Sequence, residues 1–350
     1  MARPTVLVTG AAGFVGGWVT EALCARDMDV RAGVRSAARS SRLPELPVAL
    51  VQCDVGDARS LREAMRGAQV VINCVRDDAS SDLTVEGTRK IISAAIANGV
   101  KRLIQMSSVA VYGNAVGIID EDTPPVRSAN RYATDKRAAE ELCRAAAGAD
   151  LTITVVRPSL VYGPSGEEWS ARFIRGILSG DLQQLGAAGE GQANLLYARD
   201  LGEFTAHIAL ADLPNYAVYN ANGAEIPTFN AYFDRLSRAL GRGPLPPSAP
   251  PAPGAGARRQ ARRIGRFMLR RHGEKLRHLA EASAGLTSVL NRIEAGLRPG
   301  VHDGPADSYA RHVIFSIDRA RQIGFVPRTP LQEGIDASVR WARSLGLAPS

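Results

Sequence analysis

The chain has 350 residues, 45% of them hydrophobic and 22% charged, with a formal net charge of +8. That is enough apolar material for one large domain or two modest ones, and it excludes a chain disordered throughout. No apolar run reaches the ~18 residues of a membrane-spanning helix, and Met1 to Pro4 leave no room for a signal peptide ahead of the first strand.

Val6-Leu7-Val8, followed by Thr9-Gly10-Ala11-Ala12-Gly13-Phe14-Val15-Gly16, reads as a strand, a glycine turn and a helix start. In such a turn Gly10 permits the tight bend, Gly13 admits a pyrophosphate to the backbone, and Gly16 lets the helix lie close to the sheet. The unpaired N–H groups and positive dipole of the helix start then face the phosphates. Further strand-like runs fall at 30–34, 48–53, 70–75, 103–106 and 151–156, with helical stretches at 14–26, 60–66, 88–98 and 131–147. This alternation predicts an α/β fold, a Rossmann-type doubly wound parallel sheet over residues 1–165, with ligands beyond the carboxyl ends of its strands.

After Arg157 the pattern loosens. Residues 166–350 are expected to form a smaller, mainly helical substrate-binding lobe, with helices at 168–178, 201–210, 229–240 and 331–345 and strand-like runs at 194–198 and 217–220. Residues 241–256 hold six prolines and four glycines, which marks a linker. A basic helical insertion at 257–310 follows. Arg258 to Arg277 contain nine basic residues and one acid, Glu274, so this segment carries the whole net charge of the chain. A basic amphipathic helix suits anionic lipid or phosphates, but the preferred reading is an insertion packed as a lid with its arginines solvated. Nucleic acid is therefore not an expected partner, and membrane contact through 258–279 is not favoured. The four cysteines lack C-x-x-C spacing and read as small buried hydrophobes of a reduced, cytoplasmic protein. The five histidines form no H-x-x-x-H pair, so no metal site is expected.

Two stretches carry chemistry. Gln105-Met106-Ser107-Ser108-Val109-Ala110-Val111-Tyr112-Gly113 closes the fifth strand, and Tyr132-Ala133-Thr134-Asp135-Lys136 opens the next helix. Tyr and Lys four apart share a helix face. A phenol titrates near ~10 and is a poor base at neutral pH; an adjacent ammonium favours the phenolate, as a general acid/base requires.

In order along the chain, Thr9–Gly16, Asp54 after the third strand, Ser107–Gly113, Tyr132–Lys136, Arg157-Pro158-Ser159-Leu160-Val161-Tyr162-Gly163-Pro164 and Tyr197-Ala198-Arg199-Asp200 resemble the extended short-chain dehydrogenase/reductase family, which includes the epimerase/dehydratase-type enzymes. Arg319–Pro327 and Trp341 continue the likeness, which spans nearly the whole chain except about 241–312. The resemblance implies that Tyr132 moves a proton to or from the substrate oxygen, that Ser108 hydrogen-bonds that oxygen, and that Lys136 binds the nicotinamide ribose and tunes Tyr132. It also implies cofactor contacts from Gly10, Ala12, Gly13, Phe14, Val15, Gly16, Arg35, Tyr132, Lys136 and Pro158, with Asp54 and the Val55 amide at the adenine. A homodimer built on helices beside the site belongs to the same implication.

The second strand ends Val34-Arg35, where NAD enzymes place an acid for the ribose hydroxyls, so NADP(H) is favoured and NAD(H) is the alternative. Val109-Ala110 replace the Asp-Glu of sugar-nucleotide dehydratases. Leu160 and Ala193 replace an Asn and an Arg that epimerases aim at a diphosphate. Asn194 and the R-P-S-L-V-Y-G-P form look more like the ketone- and alcohol-reducing branches. Cys74-Val75-Arg76-Asp77-Asp78 stand where the family has a small, Ala-rich stretch beside the nicotinamide; Arg76 and Asp77 either face the ligand or pair with each other. The expected function is an NAD(P)-dependent oxidoreductase acting on a ketone, aldehyde or secondary alcohol. A redox-neutral nucleotide-sugar epimerase and a dinucleotide-sensing or interaction protein are the rivals.

Overall fold

The computed structural model describes residues 3–26, 28–35, 43–76, 81–247, 264–265 and 309–349. The apolar runs of the first half pair side by side. Strands β1 (Thr5–Thr9), β2 (Asp29–Val34), β3 (Ala49–Gln52), β4 (Val70–Asn73), β5 (Arg102–Met106), β7 (Thr152–Pro158) and β10 (Tyr216–Ala221) form one parallel sheet in the order β10-β7-β5-β4-β1-β2-β3. The central strands β1 and β4 are almost wholly buried, as a sheet covered on both faces requires, whereas edge strand β3 is mostly exposed.

Side chains leave β1 alternately to two cores. Val6 and Val8 join Val19, Leu23, Leu201 and Phe204, contributed by α1 (Phe14–Cys24) and α6 (Ala198–Leu210). Leu7 joins Leu61, Ile91 and Cys143, from α2 (Ala58–Met65), α3 (Ser81–Ala97) and α4 (Arg131–Ala146). A Cβ on Gly202 would lie 2.6 Å from the Trp18 carbonyl oxygen, so this glycine sets how closely α6 approaches α1.

A third core, with Phe173, Tyr232, Phe233, Tyr309 and Ile335, belongs to α5 (Arg172–Leu178), α7 (Phe229–Ala239), the loop before β11 (Val313–Phe315) and α9 (Leu331–Ser344). A π-helical turn, Glu167–Ala171, precedes α5, and a short helix α8 (Asp318–Gln322) follows β11. Two small parallel pairs complete the architecture: β6 (Gly117–Ile119) with β11, and β8 (Leu160–Tyr162) with β9 (Leu195–Tyr197).

The expected strands and helices of the first half are present, with ends shifted by a few residues; α3 begins at Ser81 rather than near Thr88. One run belongs elsewhere than expected. The strand foreseen at 217–220 is β10, which pairs with β7 and extends the central sheet instead of lying in a smaller lobe. Alternation alone cannot say which sheet a strand joins. The linker from 248 onward, and the insertion apart from 264–265 and 309–310, lie outside the described residues. Among the described residues no helix is long and apolar enough to cross a membrane.

Candidate active site

Strand order reverses between β1 and β4, and a cavity of about 440 Å³ opens there beyond their carboxyl ends. The β1 turn shapes its floor. Gly10 has φ +70°, a conformation L side chains rarely adopt, and Gly13 donates to the Gly10 carbonyl at 2.9 Å. A Cβ on Gly16 would overlap that same carbonyl, so only glycine lets α1 start here. Gly13 is the N-cap residue and supplies no side-chain cap to the first amides of the helix.

Gly10, Ala12, Gly13, Phe14, Val15, Arg35, Asp54 and Val55 line this cavity, joined by Gly33, Val34, Cys53, Cys74, Val75, Arg76 and Leu83. Gly16 and Pro158 are not in its lining; Gly16 acts through packing, and Pro158 ends β7. Arg35 is exposed at the rim. Asp54 Oδ1 accepts from the Gly56 amide at 2.9 Å, and the Asp54 amide donates to Ser60 Oγ at 3.0 Å, which fixes the turn after β3. The cavity thus offers an apolar floor, amides at a helix start, a carboxylate and an arginine, a set that fits a dinucleotide.

Ser108, Tyr132 and Lys136 lie beyond the next strand, outside that lining. Asn130 caps α4 by accepting from the Tyr132 amide at 3.0 Å, which places Tyr132 in the first turn. Lys136 is buried and donates to the Met106 carbonyl at 2.8 Å, with its Nζ 5.9 Å from the Tyr132 ring centroid. Ser108 caps the 3-10 turn Val109–Tyr112, its Oγ accepting from the Ala110 amide at 3.1 Å.

Arg76 links this group to the cavity. Its guanidinium carbon lies 5.2 Å from the Tyr132 ring centroid, and its two terminal nitrogens reach the Glu168 oxygens at 3.1 and 2.5 Å. Arg76 lines the cavity and pairs with Glu168, while Asp77, named with it in the expected alternatives, lies outside the described residues.

Two buried networks escaped the sequence reading. Thr9 Oγ1 donates to Asn73 Oδ1 at 2.8 Å, and Asn73 Nδ2 donates to Gln105 Oε1 at 2.9 Å, tying the ends of β1, β4 and β5. The second begins on α4, where Glu140 continues the face of Tyr132 and Lys136; that four-residue spacing was the available signal. Glu140 accepts from Ser107 Oγ and from Arg157, which also donates to Tyr112 OH at 2.7 Å; Tyr112 in turn donates to Asn220 at 2.8 Å. Burial works against the Arg157 charge, but the hydrogen bonds and charge of Glu140 outweigh it and hold the guanidinium above its ordinary range. Burial also pushes the Tyr112 hydroxyl up.

Asn194, read as a branch marker, is buried in a structural role, donating to the Val313 carbonyl at 2.8 Å and accepting from Asn222 at 2.8 Å. All four thiols are free, and burial pushes those of Cys53, Cys74 and Cys143 up to about 12. No group of three or more potential metal-ligating side chains assembles among the described residues.

A parallel sheet with a glycine turn at its switch point defines the Rossmann-type class. A model of the NAD dependent epimerase/dehydratase family matches residues 6–221, and the chain belongs to that family. It is 31% identical over 226 residues to the N-acetyl-alpha-D-glucosaminyl-diphospho-ditrans,octacis-undecaprenol 4-epimerase of Escherichia coli O157:H7, a match covering 61% of this chain and 66% of the relative. It is 36% identical over 185 residues to cinnamoyl-CoA reductase 1 of Oryza sativa subsp. japonica, covering 46% and 54%. The chain thus spans between about half and two thirds of the length of these relatives. Among solved structures it is similar to MoeE5 in complex with UDP-glucose and NAD, with a TM-score of 0.71, 22% identity, and 97% and 99% of the two chains covered. At that identity the shared property is the fold.

Proposed function

We propose that the protein is an NAD(P)-dependent oxidoreductase that reduces a ketone or aldehyde, or oxidises the matching secondary alcohol. The observation that carries this reading is the setting of Tyr132. Lys136 and Arg76 lie 5.9 and 5.2 Å from its ring centroid, and Arg76 itself lines the nucleotide cavity. Two cations beside one phenol stabilise negative charge developing on its oxygen, which suits a group that gives and takes a proton.

In reduction, Tyr132 donates its hydroxyl proton to the carbonyl oxygen as the carbon gains a hydride; in oxidation it takes that proton back. Ser108 donates to the same oxygen, and Lys136, fixed by the Met106 carbonyl, holds the nicotinamide ribose and steadies the phenolate. The nicotinamide, when bound, supplies or accepts the hydride. Gly10, Ala12, Gly13, Phe14 and Val15 would hold the pyrophosphate, and Asp54 and Val55 the adenine. Arg35, on the cavity rim and next to Val34 rather than an acid, supports NADP(H) over NAD(H).

A redox-neutral epimerase is the second reading, favoured by the 31% identity to an epimerase. The deciding experiment is to denature freshly purified protein and identify any released dinucleotide by mass spectrometry, with its stoichiometry. The expected result is an empty protein that then binds NADPH more tightly than NADH, as a reductase exchanging cofactor each turnover must. Near-stoichiometric NAD would favour the epimerase, and affinity for neither dinucleotide would favour an interaction protein.

A further inference from the structure

We propose that Arg76 binds a carboxylate of the substrate, so that the ketone or alcohol converted here carries a carboxylate a few bonds from its reacting carbon. The inference rests on the oxidoreductase reading above and names the substrate class of that same site.

Arg76 is rooted on a rigid strand end. Three residues before it, Asn73 is buried and clamped between Thr9 and Gln105, and its Oδ1 also accepts from the Val75 amide at 3.2 Å. Arg76 itself lies three residues beyond the end of β4, near the switch point of the sheet, with its guanidinium carbon 5.2 Å from the Tyr132 ring centroid. A small residue there would offer the substrate no charge; an arginine puts a planar fork of donors in the cavity lining, against the Tyr132 ring. Such a fork matches the two oxygens of a carboxylate.

A carboxylate already occupies it. Glu168, on the π-helical turn after β8, receives both terminal nitrogens in a two-pronged pair. Both side chains are about half exposed, at 44% and 51%, so water reaches the pair and holding it together contributes little. Glu168 thus marks the seat that a substrate carboxylate would take, and its displacement costs little.

The test uses the full chain saturated with NADP+, which allows a ketone to bind without being reduced, and calorimetric titration with acetoacetate and methyl acetoacetate. The expected result is that the acid binds several-fold tighter than the ester, the gain being the difference between its two-pronged contact and the Glu168 pair it displaces. Glu168→Gln should tighten the acid several-fold and leave the ester unchanged. Arg76→Gln should bring the acid down to the ester, and Arg76→Lys, which keeps the charge but not the fork, should fall between.

Equal binding of acid and ester in the parent and in Glu168→Gln overturns the proposal. So does a preference that survives Arg76→Gln, or binding of neither probe by Glu168→Gln protein that still takes up NADP+. If both variants lower the melting temperature alike and leave the preference untouched, the pair is only a tie between β4 and the turn. A chain that binds neither NADP+ nor NAD+ fails at the earlier step, and the oxidoreductase reading falls with it; a chain that takes only NAD+ is tested with NAD+ in its place.

Discussion

Glu140 and Arg157 meet where almost no water reaches: Arg157 Nε lies 3.0 Å from Oε1 and Nη2 lies 2.6 Å from Oε2, with the side chains 5% and 2% exposed. The pair joins α4 to β7, and through Ser107 and Tyr112 it reaches the end of β5 and the turn after it. Because Tyr132, Lys136 and Glu140 share one face of α4, the pair also sets the rotation at which Tyr132 is presented.

Breaking such a pair leaves a buried charge without its partner. Glu140→Gln is expected to destabilise the fold by about 3–5 kcal/mol in urea unfolding. Glu140→Leu combined with Arg157→Met should be far less harmful than either change alone, since no charge remains to desolvate. A Glu140→Gln protein as stable as the parent would show that a neutral amide together with Tyr112 satisfies Arg157.

Tyr132→Phe removes one oxygen at the end of a ring held beside Lys136 and Arg76. Turnover of a ketone, followed by NADPH oxidation, should fall by about 10²–10⁴-fold, the span assigned to a positioned acid/base. Dinucleotide affinity, measured by fluorescence titration, should be largely intact, since the residues proposed for the pyrophosphate and adenine are unchanged. Retained turnover would remove Tyr132 from the role.

Arg35 stands at the end of β2 on the cavity rim, exposed, with Val34 before it. Arg35→Asp exchanges attraction for repulsion at a 2′-phosphate and adds an acceptor for ribose hydroxyls. Affinity for NADPH should drop by about tenfold or more while NADH is affected less or improves. An equal effect on both would place Arg35 in bulk water rather than at the cofactor.

What could be read ahead of the structure was local. The glycine turn was legible because Gly10 and Gly16 answer constraints within a few residues, a positive φ and the crowding of one carbonyl. Tyr132 and Lys136 were legible because four residues bring them to one helix face. Glu140 sits one further turn along and could have been found the same way; its partner Arg157 could not, because the contact depends on α4 crossing β7. Arg76 and Glu168 are 92 residues apart, and only the fold brings them together. The strand at Tyr216–Ala221 was recognised as a strand but not as part of the central sheet, since its pairing with β7 is a property of the assembled layer.

Glu121 gives the chain a pH dependence whose direction follows from burial. Its carboxyl accepts from the Asn220 amide at 2.7 Å and lies 4.0 Å from Arg319, with the Arg157 charge also acting on it. Burial outweighs these and lifts its pKa above the ordinary 4.5. An acid with a raised pKa in the fold binds its proton more tightly there than in the unfolded chain. Its contribution to stability is therefore complete below about 4.5 and is lost as pH rises through the folded value. Glu121→Gln keeps an oxygen for the Asn220 amide and removes the titration. Urea unfolding of parent and variant from pH 4.5 to neutrality should show the difference moving steadily in the variant's favour. Asp200, whose pKa burial also raises, is present in both proteins and cancels in that difference. A difference that stays constant with pH would mean that Glu121 titrates alike in the folded and unfolded chains. A shift the other way would mean that Arg319 and the Asn220 amide outweigh burial.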